Sequence, residues 1–168
     1  PKGVFNMVHG FGEEGYAGDP LVKHPDVPLI SFTGESRTGQ IIFANAAPHL
    51  KGLSMELGGK SPSIFFADIM DKDDAYLEKC VEGFVMFALN QGEVCTCPSR
   101  ALVHEDIADK FLELAIERVK KIKIGHPLDT ETMMGAQASQ EQMDKIKQYL
   151  EIGPQEGAET LVGGHVNK

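Results

Sequence analysis

A chain of 168 residues, 42% apolar and 24% charged, has a globular composition, which excludes intrinsic disorder and leaves enough apolar material for a core. Its 16 basic and 25 acidic residues give a net charge of −9, which repels polyanions and favours small molecules over nucleic acid as partners. The longest apolar run, around GFVMFAL, falls far short of the roughly 20 residues that span a bilayer, so no membrane segment is expected.

The chain opens PKGVFNMVHG, without an initiating methionine or the basic-then-apolar start of a signal peptide, and reads as the interior of something longer. Residues 4–8 (VFNMV) and 28–32 (PLISF) read as short buried strands, each closing on a glycine-containing turn before a segment that could be helical. That order predicts parallel βα units, an α/β fold. After the turn TGESRTG, residues 38–47 should form a helix that ends at Pro48. LSMEL and PSIFFAD give two further strands separated by the break GGKS.

Between residues 71 and 89, Leu77, Val81, Phe84, Val85, Ala88 and Leu89 recur three or four apart, which predicts one face of a helix with Cys80 on or beside it. SRALVH is the next strand. Residues 105–122 then predict a helix with a buried stripe of Ile107, Phe111, Ala115, Ile116 and Val119. Acidic residues at its start and Arg118, Lys120 and Lys121 at its end suit the helix dipole, so that basic cluster is read as a solvated helix end. A last helix is expected over residues 140–152, with ETLVGG as an edge strand after it.

Three cysteines, Cys80, Cys95 and Cys97, are an odd number in a chain without secretory features, so a reducing compartment, the cytoplasm, is expected rather than a disulfide framework. Cys95 and Cys97 lack the second ligand pair that a zinc site needs, and the six histidines are scattered singly, so no metal is expected. The pair is then either two small inert side chains or a nucleophile with a bystander. GFGEEG, residues 10–15, spells the G-x-G-x-x-G pattern of dinucleotide-binding loops. It does not open a helix directly, because GYAGDP brings another glycine and Pro20, so a glycine loop without a phosphate remains an equal reading.

GESRTG, residues 34–39, lies between a strand and a helix, where backbone N–H groups can face a pyrophosphate. Glu35 there repels a phosphate unless it turns away or binds a ribose hydroxyl. In MELGGKSP, Glu56 ends a strand ahead of two glycines. It is a general base if burial raises its pKa, and otherwise a surface glutamate.

FNMVHGFG, HPDVPLISFTGESRTG, MELGGKSP, NQGEVCTCPSR and GHPLDTETMMGAQAS occur in the order, and with nearly the spacing, found in one family. The chain resembles the aldehyde dehydrogenase superfamily over its whole length. Gly92, Glu93, Val94, Cys95 and Arg100 match that family's nucleophile pattern, and ELGGKSP matches its glutamate signature. The resemblance implies that Cys95 is the nucleophile, with Cys97 a bystander, and that Glu56 is the base for deacylation. It implies cofactor contacts at Gly12, beside the adenine, at Gly34, Glu35 and Gly39, within the stretch that meets the pyrophosphate, and also at Thr33 and Leu57. NAD or NADP is implied, NAD being favoured, with an aldehyde as substrate and a homo-oligomer when complete.

In fold terms the resemblance implies a portion of a parallel Rossmann-like sheet plus part of a second α/β catalytic domain. Residues 1–57 would end the NAD(P)-binding domain and residues 58–168 would begin the catalytic domain. An oxyanion-hole asparagine and a nicotinamide-ribose motif belong to segments outside this sequence. Three departures stand out: Glu35 in place of a serine, about two extra residues between Gly12 and His24, and a longer stretch between Glu56 and Cys95. Two rival readings are a piece of such an enzyme that is inactive alone and a structural protein recruited from the family. Retention of both Cys95 and Glu56 argues against the latter.

Overall fold

The computed structural model describes residues 1–11, 15–71 and 74–167, apart from the side chains of Asp74 and Leu89. The chain divides into two compact units, Pro1–Gly59 and Lys60–Lys168.

The first unit contains α1 (Gly18–Lys23), β1 (Leu29–Thr33), α2 (Ser36–Ala46), a 3₁₀ turn at Ala47–His49 and β2 (Gly52–Glu56). β1 and β2 pair in parallel, with Leu29 opposite Gly52 and Thr33 opposite Glu56. Side chains alternate along each strand, so Ile30, Phe32, Leu53 and Met55 share the half-buried face, and Ser31, Thr33, Ser54 and Glu56 the exposed one. Val22 of α1 and Ile42 and Ala46 of α2 are the buried apolar residues of this unit. α2 begins two residues before the expected position 38, because the extended backbone of Glu35 serves as its N-cap.

One expectation for this unit fails. Residues 4–8 form no strand: the Val4 N–H bonds the Pro1 carbonyl in a turn, and Val4, Phe5, Met7 and Val8 are exposed. An extended apolar segment becomes a strand only where a neighbour takes up its backbone groups. The segment that could be helical after the first glycine-containing turn is α1, although Gly18 and Pro20 look like breakers. Pro20 sits in the first turn, where its missing N–H has no intrahelical acceptor to lose.

The second unit contains β3 (Pro62–Phe65), α3 (Asp74–Val85), β4 (Arg100–Val103), α4 (Ala108–Val119) and α5 (Gln140–Gln155). Short 3₁₀ turns occupy Ala67–Asp71, Met86–Gly92 and Glu105–Ile107. β3 and β4 are parallel, with Pro62 opposite Arg100 and Phe65 opposite Val103. Phe65, Ile69, Val81, Ile107 and Phe111 form the core, flanked by Leu77, Cys80, Phe84 and Leu114. Phe111 is central, its ring 4.5 Å from that of Phe65 and 5.8 Å from that of Phe84, the latter edge-on. Full burial of one such ring stabilises by up to about 3 kcal/mol.

Arg118 of α4 reaches Glu78 and Glu82 of α3 at 3.2 and 3.7 Å, an exposed pairing that adds little beside the core. Lys120, hydrogen-bonded to Glu117 at 2.8 Å, holds that carboxyl below its usual range.

The helix expected over 71–89 is shorter, because its last turns tighten into the 3₁₀ segment Met86–Gly92. The helix expected over 105–122 splits into a 3₁₀ turn that buries Ile107, followed by α4. α5 runs past Ile152 and takes Pro154 into its last turn. Residues 159–164 are not a strand, since Gly163 and Gly164 both hold φ +75°, which turns the chain out of an extended path. Among the described residues no helix is long and apolar enough to cross a membrane, and no group of three or more His, Cys, Asp or Glu is placed to hold a metal.

Candidate active site

In the first unit the candidate residues converge at the C-terminal ends of the two parallel strands. Thr33 and Glu56 are register partners, so their side chains stand side by side on the exposed face. The Gly34 N–H donates to the Glu56 carbonyl at 3.0 Å, carrying the ladder one residue past β1. A Cβ at Gly34 would lie 2.6 Å from Phe32 Cζ, and one at Gly39 would lie 2.7 Å from Leu57 Cδ2. Both positions are therefore closely fitted, for reasons of space rather than backbone angle, and a side chain there would have to displace Phe32 or Leu57.

Gly39 is buried in the opening turns of α2, and Leu57 directly follows β2, so helix start and strand end are packed together. Glu35, at the N-cap, makes no side-chain cap bond to the first amides of α2. Amides at a helix start, beside the carboxyl ends of parallel strands, favour an anion such as a pyrophosphate. Gly34 and Gly39 border that helix start, although their own N–H groups are taken by the Glu56 and Glu35 carbonyls at 3.0 Å each. Glu35 is exposed at the head of this helix. Gly12 lies outside the described residues. The Glu56 side chain is exposed in this unit.

In the second unit Cys95 is exposed in the loop that links the 3₁₀ turn Met86–Gly92 to β4. Cys80 belongs to the core layer, while Cys97 is half-buried and its thiol lies 3.0 Å from the Phe87 carbonyl. The Phe87 ring meets Phe84 edge-on at 5.6 Å, so Cys97 is anchored towards the core. The Cys97 N–H donates to the Val94 carbonyl at 3.0 Å and closes a turn around Cys95. Arg100 donates through Nε to the Lys60 carbonyl at 2.9 Å, which ties the start of β4 to the residues before β3. In this unit it acts as a strand tether.

Sequence reasoning missed a set of contacts behind Cys95. Asn90, Gln91 and Gly92 all take left-handed backbone angles, with φ of 48°, 59° and 78°. The Gln91 side-chain amide donates to the Ala136 carbonyl at 2.9 Å, and Glu93 Oε1 accepts the Ala138 N–H at 3.0 Å. Gln137 reaches back to the Gln91 carbonyl at 3.4 Å, while its own Oε1 is buried with no hydrogen-bond partner among the described residues. The available signal was polar Gln and Glu flanking a glycine three residues before a cysteine, without any hint of their partners about 45 residues away.

Residues 1–168 match the model of the aldehyde dehydrogenase family. The chain is 59% identical over 165 residues to a long-chain-aldehyde dehydrogenase of an Acinetobacter species, covering 98% of this chain and 32% of the relative. It is 55% identical over 167 residues to acetaldehyde dehydrogenase 2 of Cupriavidus necator, covering 99% of this chain and 33% of the relative. Betaine aldehyde dehydrogenase of Staphylococcus aureus, solved in complex with NAD+, superposes with a TM-score of 0.83 at 40% identity, over 91% of this chain and 29% of that one. The chain spans about a third of the length of the curated relatives it matches.

Proposed function

Since the chain belongs to the aldehyde dehydrogenase family, we propose that it carries the nucleophile, the deacylation base and part of the cofactor site of an enzyme that oxidises an aldehyde to a carboxylic acid with NAD(P). The observation that carries this reading is Cys95, an exposed thiol in a tethered loop, inside the sequence pattern Gly92, Glu93, Val94, Cys95 and Arg100. By the same reading residues 1–57 end the cofactor domain and residues 58–168 begin the catalytic domain.

The residues suit the chemistry in order. The Cys95 thiolate adds to the aldehyde carbon, and the carbonyl electron pair moves to oxygen, giving a thiohemiacetal oxyanion. The Cys95 backbone N–H is the donor this chain offers to that oxygen. When bound, the nicotinamide supplies the acceptor for the hydride that leaves the same carbon, so the substrate is oxidised to a thioester on Cys95. Glu56 then takes a proton from water as the water oxygen attacks the thioester carbonyl. The C–S bond breaks, the acid leaves and the thiolate is restored. Thr33, Gly34, Glu35, Gly39 and Leu57, with Gly12, form this segment's share of the cofactor site.

NAD is favoured over NADP by the NAD+ complex of the Staphylococcus aureus protein. The relatives' names span long-chain aldehydes and acetaldehyde, so the proposal stops at an aldehyde. Three unbridged cysteines support a cytoplasmic setting, and the family resemblance supports a homo-oligomer for the full-length protein. The test is chemical. Acid quench of a full-length enzyme carrying this segment, during turnover, should yield a peptide acylated at Cys95, and acylation confined to any other residue overturns the proposal.

A second reading is supported by the exposed apolar side chains Phe5, Leu50 and Leu128, at 81%, 93% and 86%. Residues 1–168 alone would then be an inactive packing unit of that larger enzyme.

A further inference from the structure

We propose that Gln91 and Glu93 are positioning residues that set the place of Cys95 by clamping its loop to residues 136–138. The inference rests on the reading of Cys95 as nucleophile. The turn ahead of Cys95 is intrinsically unfavourable: Asn90 and Gln91 are left-handed without being glycine, which costs on the order of 1 kcal/mol each. Such a turn persists only where its surroundings hold it.

Local bonds close it, Glu93 N–H to the Asn90 carbonyl at 2.9 Å and Asn90 Nδ2 to the Glu93 carbonyl at 3.2 Å. The bonds that fix it in the unit are long-range. Gln91 donates to Ala136 at 2.9 Å, Glu93 accepts from Ala138 at 3.0 Å, and Gln137 returns to the Gln91 carbonyl at 3.4 Å.

The anchor is itself held at both ends. The Met134 N–H donates to Lys123 beyond α4 at 3.1 Å, and the Gly125 N–H donates to Met134 at 3.1 Å. On the other side Ser139 Oγ caps α5 by accepting the Gln142 N–H at 3.1 Å. Glu93 stands two residues before Cys95, so a shift at its carboxylate passes through Val94 alone before reaching the sulfur. A displacement of about 1 Å at a reacting atom is enough to slow catalysis by up to about a hundredfold.

The test uses a full-length enzyme carrying this segment and three variants. Glu93→Ala removes the acceptor. Gln91→Gly removes the amide yet keeps a residue suited to the left-handed backbone, and Glu93→Gln keeps an acceptor oxygen. The first two should lower kcat about tenfold and slow iodoacetamide capture of Cys95 by a similar factor. KM and cofactor Kd should stay within about twofold, and Glu93→Gln should restore both rates.

Parental kcat and alkylation rate in Glu93→Ala and Gln91→Gly overturn the positioning role. So does a fall in kcat that only tracks a fall in the folded fraction, with the alkylation rate of folded molecules unchanged. If Glu93→Ala does not fold, Gln91→Gly decides alone. A Cys95→Ala control that stays active overturns the nucleophile reading itself, whereas an inactive control beside unaffected clamp variants overturns the clamp alone.

Discussion

Gly39 and Leu57 approach so closely that a Cβ on the glycine would lie 2.7 Å from one Leu57 methyl and 3.0 Å from the other. Gly39→Ala therefore sets two effects against each other. Alanine in a helix is favoured over glycine by about 1 kcal/mol, while Leu57 must swing aside to admit the methyl. Stability should change by less than about 1 kcal/mol, because the half-buried Leu57 has room to give. Cofactor affinity should fall about tenfold if the displaced Leu57 belongs to the cofactor site. Calorimetric titration with NAD beside a thermal melt separates the two, and parental affinity would remove both residues from that site.

Cys95 and Cys97 should behave differently, because one thiol is exposed and the other is engaged with the Phe87 carbonyl. In a full-length enzyme Cys95→Ala should abolish dehydrogenase activity and any esterase activity. Cys97→Ala should retain most of it and lose about 1 kcal/mol of stability with the lost thiol contact. Iodoacetamide at low excess should label Cys95 first, read by peptide mass. Dominant labelling of Cys97, together with an active Cys95→Ala enzyme, would exchange their roles.

Glu56→Gln should leave acylation intact and stop deacylation. Rapid mixing with aldehyde and NAD should give a burst of NADH close to one per Cys95, then turnover slowed by about a hundredfold or more. Mass spectrometry should find the acyl group on Cys95. Parental steady-state turnover would return Glu56 to an ordinary exposed strand-end glutamate.

Residues 1–168 expressed alone should be inactive and prone to aggregate. Among the described residues each sheet has two strands, and large apolar side chains such as Phe5, Leu50 and Leu128 face solvent. Sedimentation, NAD titration and an aldehyde-oxidation assay on that polypeptide test this. A cooperatively melting monomer that makes NADH would overturn it.

What could be read without coordinates follows from how local each signal is. β1, β2, β3 and β4 were legible because short apolar runs bounded by glycine or proline carry their own boundaries, and α4 because Phe111 and Ala115 recur at helical spacing. Residues 4–8 and 159–164 have the same kind of pattern and formed no strand, since pairing depends on a neighbour that pattern does not encode.

The candidate site divides along the same line. Cys95, Glu56 and the glycines at 34 and 39 stood out through short motifs. The close fit of those glycines against Phe32 and Leu57 required a structure. The Gln91 and Glu93 clamp was illegible because its partners lie 45 residues downstream.

The register of β1 on β2 also governs where this sequence tolerates a change of length. One residue inserted within β2 ahead of Glu56 would hand Thr33 a new partner and throw the carboxylate to the opposite face, because side chains alternate at every step. One residue inserted among positions 58–61, after β2 ends and before β3 begins, leaves that pairing untouched. Insertions and deletions should therefore be purged from Gly52–Glu56, the five residues whose alternation sets the face on which the carboxylate stands.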